Sequence, residues 1–211
     1  MTPPARDEIL EKLRRRLRPV AHPHAWQSPR RFDDLAVRFA ETLRAAGGEV
    51  ICVEGIEEAA AALGDVLTGC AINRVVVNTD LPAEIHRLRD HHPGCDWYVV
   101  GQGKGDLREV AAAADAGLST AEAVLAETGT VVIRSGRGLS RLVPLLPPIH
   151  IVLAPFSALT EDIFTWIAAR RGPMPANITL ISGPSKTADI EQTLAIGVHG
   201  PGRLIVILYR E

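Results

Sequence analysis

Apolar residues recur with two different periods along this chain of 211 residues, and the two periods predict alternating helices and strands. A helix is expected over residues 7–18. In the next segment the apolar side chains keep the 3.6-residue spacing of a helix with one buried face, at Phe32, Leu35, Ala36, Phe39, Leu43 and Ala46. We expect this second helix to begin with Ser28 as its N-cap and Pro29 in its first turn, and to end at Gly47 and Gly48.

Short apolar runs separate further helical segments and predict the buried strands of one sheet. The expected strands are EVICVE (49–54), RVVVN (74–78), DWYVV (96–100), IHIVL (149–153), NITLI and RLIVIL (203–208). The expected helices are residues 57–68, residues 82–89 opened by Pro82, and residues 159–171 capped by Ser157 or Thr160. This alternation predicts an α/β fold with a mostly parallel sheet and helices on both faces.

The same pattern predicts the division of the chain. Residues 1–48 form a helical N-terminal extension, and residues 49–211 form one globular α/β unit. The turn between the first two helices carries His22, His24 and Trp26. These side chains either contact a partner or a second copy of the chain, which would make a homo-oligomer, or form an ordinary turn.

Charge argues against a dedicated nucleic-acid binder. The formal net charge is -2 and the sequence pI is about 6.4, whereas nucleic-acid binders show a strong basic excess or a basic face. The one dense basic run, at residues 14–16, shares its predicted helix with acidic residues and is typical of a solvated helix face.

Cysteine content and the N-terminus indicate the compartment. Cys52, Cys70 and Cys95 are far apart in sequence and form no CxxC pair, which is poor material for a disulfide framework, a zinc site or an iron-sulfur cluster. The first ten residues carry prolines and charges where a signal peptide needs an apolar core, and no window is long enough to span a membrane. We expect a cytoplasmic protein with no metal or cofactor of its own.

The segment GQGKG (101–105) follows a predicted strand and raises the question of a dinucleotide site. Its third glycine is misplaced for G-x-G-x-x-G, and Asp106 follows it. We interpret the segment as a flexible loop between a strand and a helix.

The segment AETGT (126–130) is flanked by two strand-like runs. Gly129 predicts a tight turn or a close backbone approach. Glu127 is then either a satisfied turn residue or a general base or nucleophile that faces a cleft.

The segment GPSKT (183–187) lacks the glycine spacing of a P-loop, so a nucleoside triphosphatase is not expected. Gly183 and Pro184 bend the chain after a strand, and Ser185 or Thr187 is placed to cap a helix beginning near Ala188. The N–H groups of that helix, the two hydroxyls and the Lys186 ammonium would favour a carboxylate or a phosphate. Alternatively, these residues only cap the helix, with Asp189 and Glu191 complementing its dipole.

His199 lies in GVHGPG, where the surrounding glycines and the proline predict a bent loop. We expect the imidazole near a loop rim on the carboxyl-end side of the α/β unit. Its role is either structural or catalytic.

Together, AETGT, LLPPIHIVL (145–153), SGPSKTADIE (182–191) and GVHGP (197–201) resemble the motifs of the LUD-domain family of lactate utilization proteins. Lys186 stands where the family commonly has Arg, which keeps the charge but loses the bidentate fork. The resemblance implies a fold similar to the NagB/RpiA/CoA-transferase group. It also implies a role in L-lactate oxidation to pyruvate beside iron-sulfur and cysteine-rich partner proteins.

Two functions follow as expectations. The first is an accessory component of lactate utilization that binds a small anionic ligand; the alternative is a stand-alone acyl-transfer or cyclo-ligase enzyme for a phosphate, CoA or folate ligand. In a catalytic site Glu127, Lys186 and His199 should meet at one cleft, with Glu127 and His199 as the catalytic residues. Residues expected to bind the ligand are Thr128, Gly129, Thr130, Gly183, Ser185, Lys186, Thr187 and Asp189.

Overall fold

A computed structural model describes residues 3–17, 26, 28–91, 94–188 and 194–211. The helices are α1 (Pro3–Arg16), α2 (Leu35–Ala45), α3 (Ile56–Gly69), α4 (Ala83–His91), α5 (Leu107–Ala113), α6 (Leu142–Leu145) and α7 (Ile163–Ala169). The strands are β1 (Glu49–Val53), β2 (Arg74–Val77), β3 (Asp96–Val99), β4 (Ala116–Thr120), β5 (Ala123–Leu125), β6 (Thr130–Ser135), β7 (Ile149–Pro155), β8 (Leu159–Thr160), β9 (Asn177–Ile181), β10 (Lys186–Ala188), β11 (Leu194–Ile196) and β12 (Arg203–Tyr209).

Six strands form the main sheet in the order β1-β12-β7-β4-β2-β3, and every pairing between them is parallel. The central strands β7 and β12 are buried on both faces. On β7, Ile151 and Leu153 pack towards α3 and α4, whereas Val152 and Ala154 pack towards α2 and the second sheet. The predicted α/β class, with a mostly parallel sheet covered on both faces, is confirmed.

A second sheet of four strands, in the order β8-β5-β6-β9, covers part of the main sheet. Strands β5 and β6 are the two runs predicted on either side of residues 127–129, and they pair antiparallel as a hairpin. Their apolar side chains join Phe39 and Leu43 of α2 in one buried cluster against β7 and β12. Helix α2 is therefore part of the core of the molecule.

Two predicted helix starts are wrong, and in both cases an aspartate is the cap. Helix α2 begins at Leu35, because the Asp34 side chain accepts hydrogen bonds from the backbone N–H groups of Ala36 and Val37. Helix α7 begins at Ile163, because Asp162 accepts from the backbone N–H of Thr165. A carboxylate at the N-cap satisfies free backbone donors at the helix start.

The predicted end of α2 and the predicted loop at residues 101–105 are confirmed in position. Gly47 follows the C-cap of α2 and has a φ of 93°, the left-handed conformation in which a glycine commonly ends a helix. Strand β4 was not predicted, because AGLST lacks the β-branched run that marks the other strands. Its Gly117 instead permits close packing, since a Cβ there would lie 1.9 Å from the Val143 carbonyl oxygen.

The helix predicted to begin near Ala188 does not appear in the described residues on either side of it, and residues 189–193 lie outside the described ranges. Residues Lys186–Ala188 form strand β10, which pairs antiparallel with β11 in a separate two-stranded sheet. At a helix start, the backbone N–H groups of these residues would be free to bind an anion. Here residues 186–188 belong to a strand of the two-stranded sheet instead. Within the described ranges, no helix combines the length and the apolar content that spanning a bilayer requires.

Candidate functional site

Two loops that carry predicted motifs, residues 182–185 and 197–202, pack against each other. The Ser185 N–H donates to the Pro201 carbonyl at 2.8 Å, and the Gly197 N–H donates to the Ser185 carbonyl at 2.9 Å. Glycine at 200 permits this approach, because a Cβ there would lie 3.2 Å from that of Ser185. The two segments form one structural unit, although residues 186–196 separate them in sequence.

The loops close a cavity of about 230 Å³ between the main sheet, the end of β9 and α6. His150 of β7 and Leu204 of β12 are among the residues on the main-sheet side. The loops contribute Ser182, Ser185 and His199. We call this space the loop cavity.

The loop cavity lies at the amino ends of β7 and β12, not at the carboxyl-end side predicted for His199. The loop at residues 197–202 leads directly into β12, so it must lie where that parallel strand begins. His199 itself is exposed.

His150 was missed by sequence reasoning, although it is the one polar residue in the apolar strand IHIVL. The side chain is fully buried, and its Nε2 lies 2.8 Å from the Ser119 Oγ on the neighbouring strand β4. Burial lowers the pKa of His150 to about 3, so the imidazole is neutral at physiological pH. Its Nδ1 is buried and has no hydrogen-bond partner among the described residues.

A chain of hydroxyls connects the hairpin turn to the loop cavity. The Thr128 and Thr130 Oγ1 atoms are 2.6 Å apart, and Thr130 Oγ1 lies 2.7 Å from the Ser182 Oγ. Thr130 is buried, whereas Thr128 is exposed. The predicted ligand residues of the hairpin thus contact the cavity indirectly, through Ser182.

Gly129 confirms both features predicted for it, a turn and a close approach. Its φ is 63°, and a Cβ at this position would lie 2.3 Å from the backbone nitrogen of Leu43 in α2. The Thr42 hydroxyl also donates to the Ala126 carbonyl at 3.0 Å. The contacts of Gly129 hold the hairpin against α2.

Glu127 forms a salt bridge with Arg30 of the N-terminal segment. Its Oε1 lies 2.9 Å from the Nε of Arg30, and its side chain is about one quarter exposed. Another atom of the same guanidinium, Nη1, lies 3.9 Å from Oδ2 of the fully buried Asp162. Glu127 is not among the residues that line the loop cavity.

Ser28 is not the cap of α2, because that helix begins only at Leu35. Burial raises the pKa of Asp162, but hydrogen bonds from the Ser28 side chain and from Thr165 lower it, and the net pKa lies below its usual range. Ser28 is itself buried. The segment before α2 is thus held against the start of α7.

Lys186 is directed away from the loop cavity. Its Nζ donates to the carbonyl of Ala46, the C-cap of α2, at 2.5 Å. A cation at a helix C-terminus interacts favourably with the helix dipole. Gly183 has a φ of 128° and packs on the same residue, since a Cβ there would lie 2.9 Å from the Ala46 oxygen.

Of the remaining predicted residues of this segment, Thr187 belongs to a strand of the two-stranded sheet. Thr187 of β10 pairs with Ala195 of β11. Asp189 lies outside the described residues, as do His22 and His24.

The three residues expected to meet in a catalytic site therefore do not share one cleft. Gly183, Ser185 and His199 line the loop cavity together, whereas Glu127 contacts Arg30 and Lys186 contacts the end of α2. Among the described residues, no group of three or more His, Cys, Asp or Glu side chains is arranged to hold a metal ion.

About half of the chain is similar to curated proteins. Lactate utilization protein C of Halalkalibacterium halodurans is 43% identical over 112 residues, which are 50% of this chain and 48% of that protein. The Bacillus subtilis protein of the same name is 40% identical over 101 residues, 45% of this chain and 42% of that protein. The matches thus span about half of the length of these curated relatives.

The fold has a solved counterpart. A DUF162 family protein from Deinococcus radiodurans superposes with a TM-score of 0.60 at 22% identity, covering 83% of this chain and 96% of that one. The sequence model of the LUD domain matches residues 36–209, from α2 to the end of β12. The chain belongs to the LUD domain family.

Proposed function

We propose that this protein is a component of an L-lactate utilization system and that the loop cavity binds a small monocarboxylate. The relatives named lactate utilization protein C support the pathway. The observation that carries the ligand proposal is the joining of two family motifs, SGPS and VHGP, around one cavity whose mainly apolar lining includes hydroxyl-bearing and imidazole-bearing residues.

Size favours a small ligand. The loop cavity holds about 230 Å³, and pockets for drug-sized ligands hold roughly 300–1,000 Å³. Lactate or pyruvate fits within this volume, whereas CoA or a folate would extend out of it into solvent. The cavity therefore supports the small-carboxylate function over the acyl-transfer or cyclo-ligase alternative.

The composition of the lining points the same way. Of the described residues that line the loop cavity, none is Lys or Arg, since Lys186 binds the end of α2 instead. Phosphate sites in proteins usually use such cations. Hydroxyls and imidazoles suit a single carboxylate with a neighbouring hydroxyl or keto oxygen.

The proposal includes partners and location. Iron-sulfur and cysteine-rich proteins of the lactate oxidation system would carry the electrons, and the LUD protein would hold or deliver the carboxylate to them in the cytoplasm. Affinity purification of the tagged chain from lactate-grown cells should recover such proteins. Cell fractionation tests the location.

Growth tests the pathway. Deletion of the gene should abolish growth on L-lactate as sole carbon source and leave growth on glucose unchanged, with the wild-type gene restoring the first. Equal growth of the deletion strain and its parent on L-lactate would contradict the proposed role.

Calorimetric titration with L-lactate and pyruvate tests the ligand. Ser185→Ala removes a hydroxyl from the cavity and should weaken affinity by about tenfold, the equivalent of one hydrogen bond. The neighbouring Lys186→Ala is the matched control and should change affinity by less than about twofold, because its ammonium lies elsewhere.

The opposite pattern, with affinity lost only in Lys186→Ala, would place the anion outside the loop cavity. CoA and folates in the same titrations should give no binding heat. A clear signal from either would favour the acyl-transfer or cyclo-ligase function instead.

A further inference from the structure

The imidazole of His150 is buried, with one ring nitrogen held by a hydrogen bond and the other left without a partner among the described residues. Its Nε2 is fixed by the Ser119 hydroxyl at 2.8 Å, and the residue lines the loop cavity. The side chain is fully buried, and Nδ1 has no partner among the described residues. Buried polar atoms are nearly always hydrogen-bonded, so such an exception calls for an explanation.

A bound ligand would supply the missing partner. A neutral imidazole has one nitrogen that donates and one that accepts. If Ser119 donates to Nε2, the Nδ1–H can donate to a keto or hydroxyl oxygen; in the other tautomer, Nδ1 can accept from a hydroxyl. The first tautomer suits a keto or a hydroxyl oxygen and the second suits a hydroxyl only, and in neither does the neutral ring offer a positive charge to a carboxylate.

We propose that His150 Nδ1 binds the C2 oxygen of a 2-hydroxy or 2-oxo monocarboxylate in the loop cavity, which makes His150 the residue that distinguishes these acids from simple carboxylates. This inference rests on the proposed binding of a small monocarboxylate there. Ser185 and His199, on the loops, remain available to the carboxylate end of the same molecule. Ser119 acts as a positioning residue, because it holds the ring through Nε2.

Three ligands separate recognition of the C2 oxygen from recognition of the carboxylate. L-lactate and pyruvate carry that oxygen, and propionate lacks it. We expect the wild-type protein to bind lactate or pyruvate about tenfold more tightly than propionate, the ratio that one good hydrogen bond provides.

Two variants separate the two ring nitrogens. His150→Gln places an amide near the Nε2 position, so it retains a partner for Ser119 but removes Nδ1, and it should bind all three acids equally. Ser119→Ala removes the contact that holds the ring while Nδ1 stays, so it should reduce the preference without abolishing it. If both variants lose the preference to the same extent, the effect is structural and the assignment of Nδ1 is wrong.

NMR of the wild-type protein with ¹⁵N-labelled histidine gives a test that needs no variant. Addition of pyruvate should shift the Nδ1 resonance of His150, and propionate should leave it nearly unchanged. If wild-type protein binds pyruvate and propionate equally, with no change at Nδ1, the role of His150 is refuted while the carboxylate site stands. If it binds none of the three acids, the proposed carboxylate site fails, and the inference fails with it.

Discussion

Lys186 and Ser185 are neighbours in the chain, yet their side chains end in different environments. Ser185 lines the loop cavity, whereas the Lys186 ammonium binds the carbonyl at the end of α2. The sequence made Lys186 a candidate for an anion contact because its charge lies beside two hydroxyls and a predicted helix start. The structure assigns it a helix-terminus contact instead, because a buried or half-buried carbonyl at a helix C-terminus needs a donor.

His150 gives a prediction about pH at the same scale. Its pKa is lowered to about 3 by burial, against about 6.5 in the unfolded chain, so the unfolded state binds the extra proton between these values. Above pH ~6.5 the ring is neutral in both the folded and the unfolded state, and the protein has its full stability. As the pH falls towards 3, protonation of the unfolded state lowers the free energy of unfolding. This residue should lower the free energy of unfolding by up to ~1.4 kcal/mol per pH unit in that window.

Denaturant unfolding of wild type and His150→Gln from pH 7.5 to 4.5 measures this effect. Other titrating groups act nearly equally in both proteins, so the difference between them isolates His150. The stability advantage of wild type should shrink with falling pH. A constant difference over this range would show that the ring is not held neutral by the fold.

At the scale of elements, the hairpin of β5 and β6 is positioned by its turn. Gly129 combines a φ of 63° with backbone contact to α2. Gly129→Ala should therefore destabilise the protein by about 2–4 kcal/mol, the sum of left-handed strain and overpacking against Leu43. Thermal and denaturant unfolding measure the loss.

Gly136→Ala is the matched control in the turn after β6. A Cβ there meets nothing within 4 Å, and the φ lies outside the left-handed region. Its stability should stay within about 0.5 kcal/mol of wild type. An equally mild effect of Gly129→Ala would contradict the packing of this turn on α2.

At the scale of the whole molecule, the position of α2 bears on the division predicted at residue 48. Phe39 and Leu43 are 0% exposed and pack among residues of both sheets. Removal of one such side chain from a core costs about 2–5 kcal/mol, while whole domains are stable by about 5–15 kcal/mol. We expect residues 49–211 alone not to unfold cooperatively.

A second truncated chain, residues 28–211, is the control for this prediction. It keeps α2, as well as Ser28 and Arg30, which contact the start of α7 and the hairpin. Circular dichroism melts should show one cooperative transition for it, within a few degrees of the full chain. Cooperative unfolding of residues 49–211 would instead confirm the division at residue 48.

Much of the architecture could be predicted from local patterns. Apolar runs located the strands β1, β2, β3, β7, β9 and β12, because a short apolar run predicts a strand whichever sheet that strand joins. The motifs around Gly129, Ser185 and His199 identified the family. Strand β4 was not predicted. Its small residues, such as Gly117, allow close packing against α6, and no local pattern in the sequence indicates such a contact.

The sequence by itself thus determined the α/β class, most of the main strands, the hairpin turn and the family. Only the tertiary structure decided which side chains share a cavity. The His150 contact with Ser119 joins residues 31 positions apart, and the Lys186 contact with Ala46 joins residues 140 apart. Periodicity specifies which face of an element is buried, but the partner on that face depends on strand order and register, which long-range packing sets.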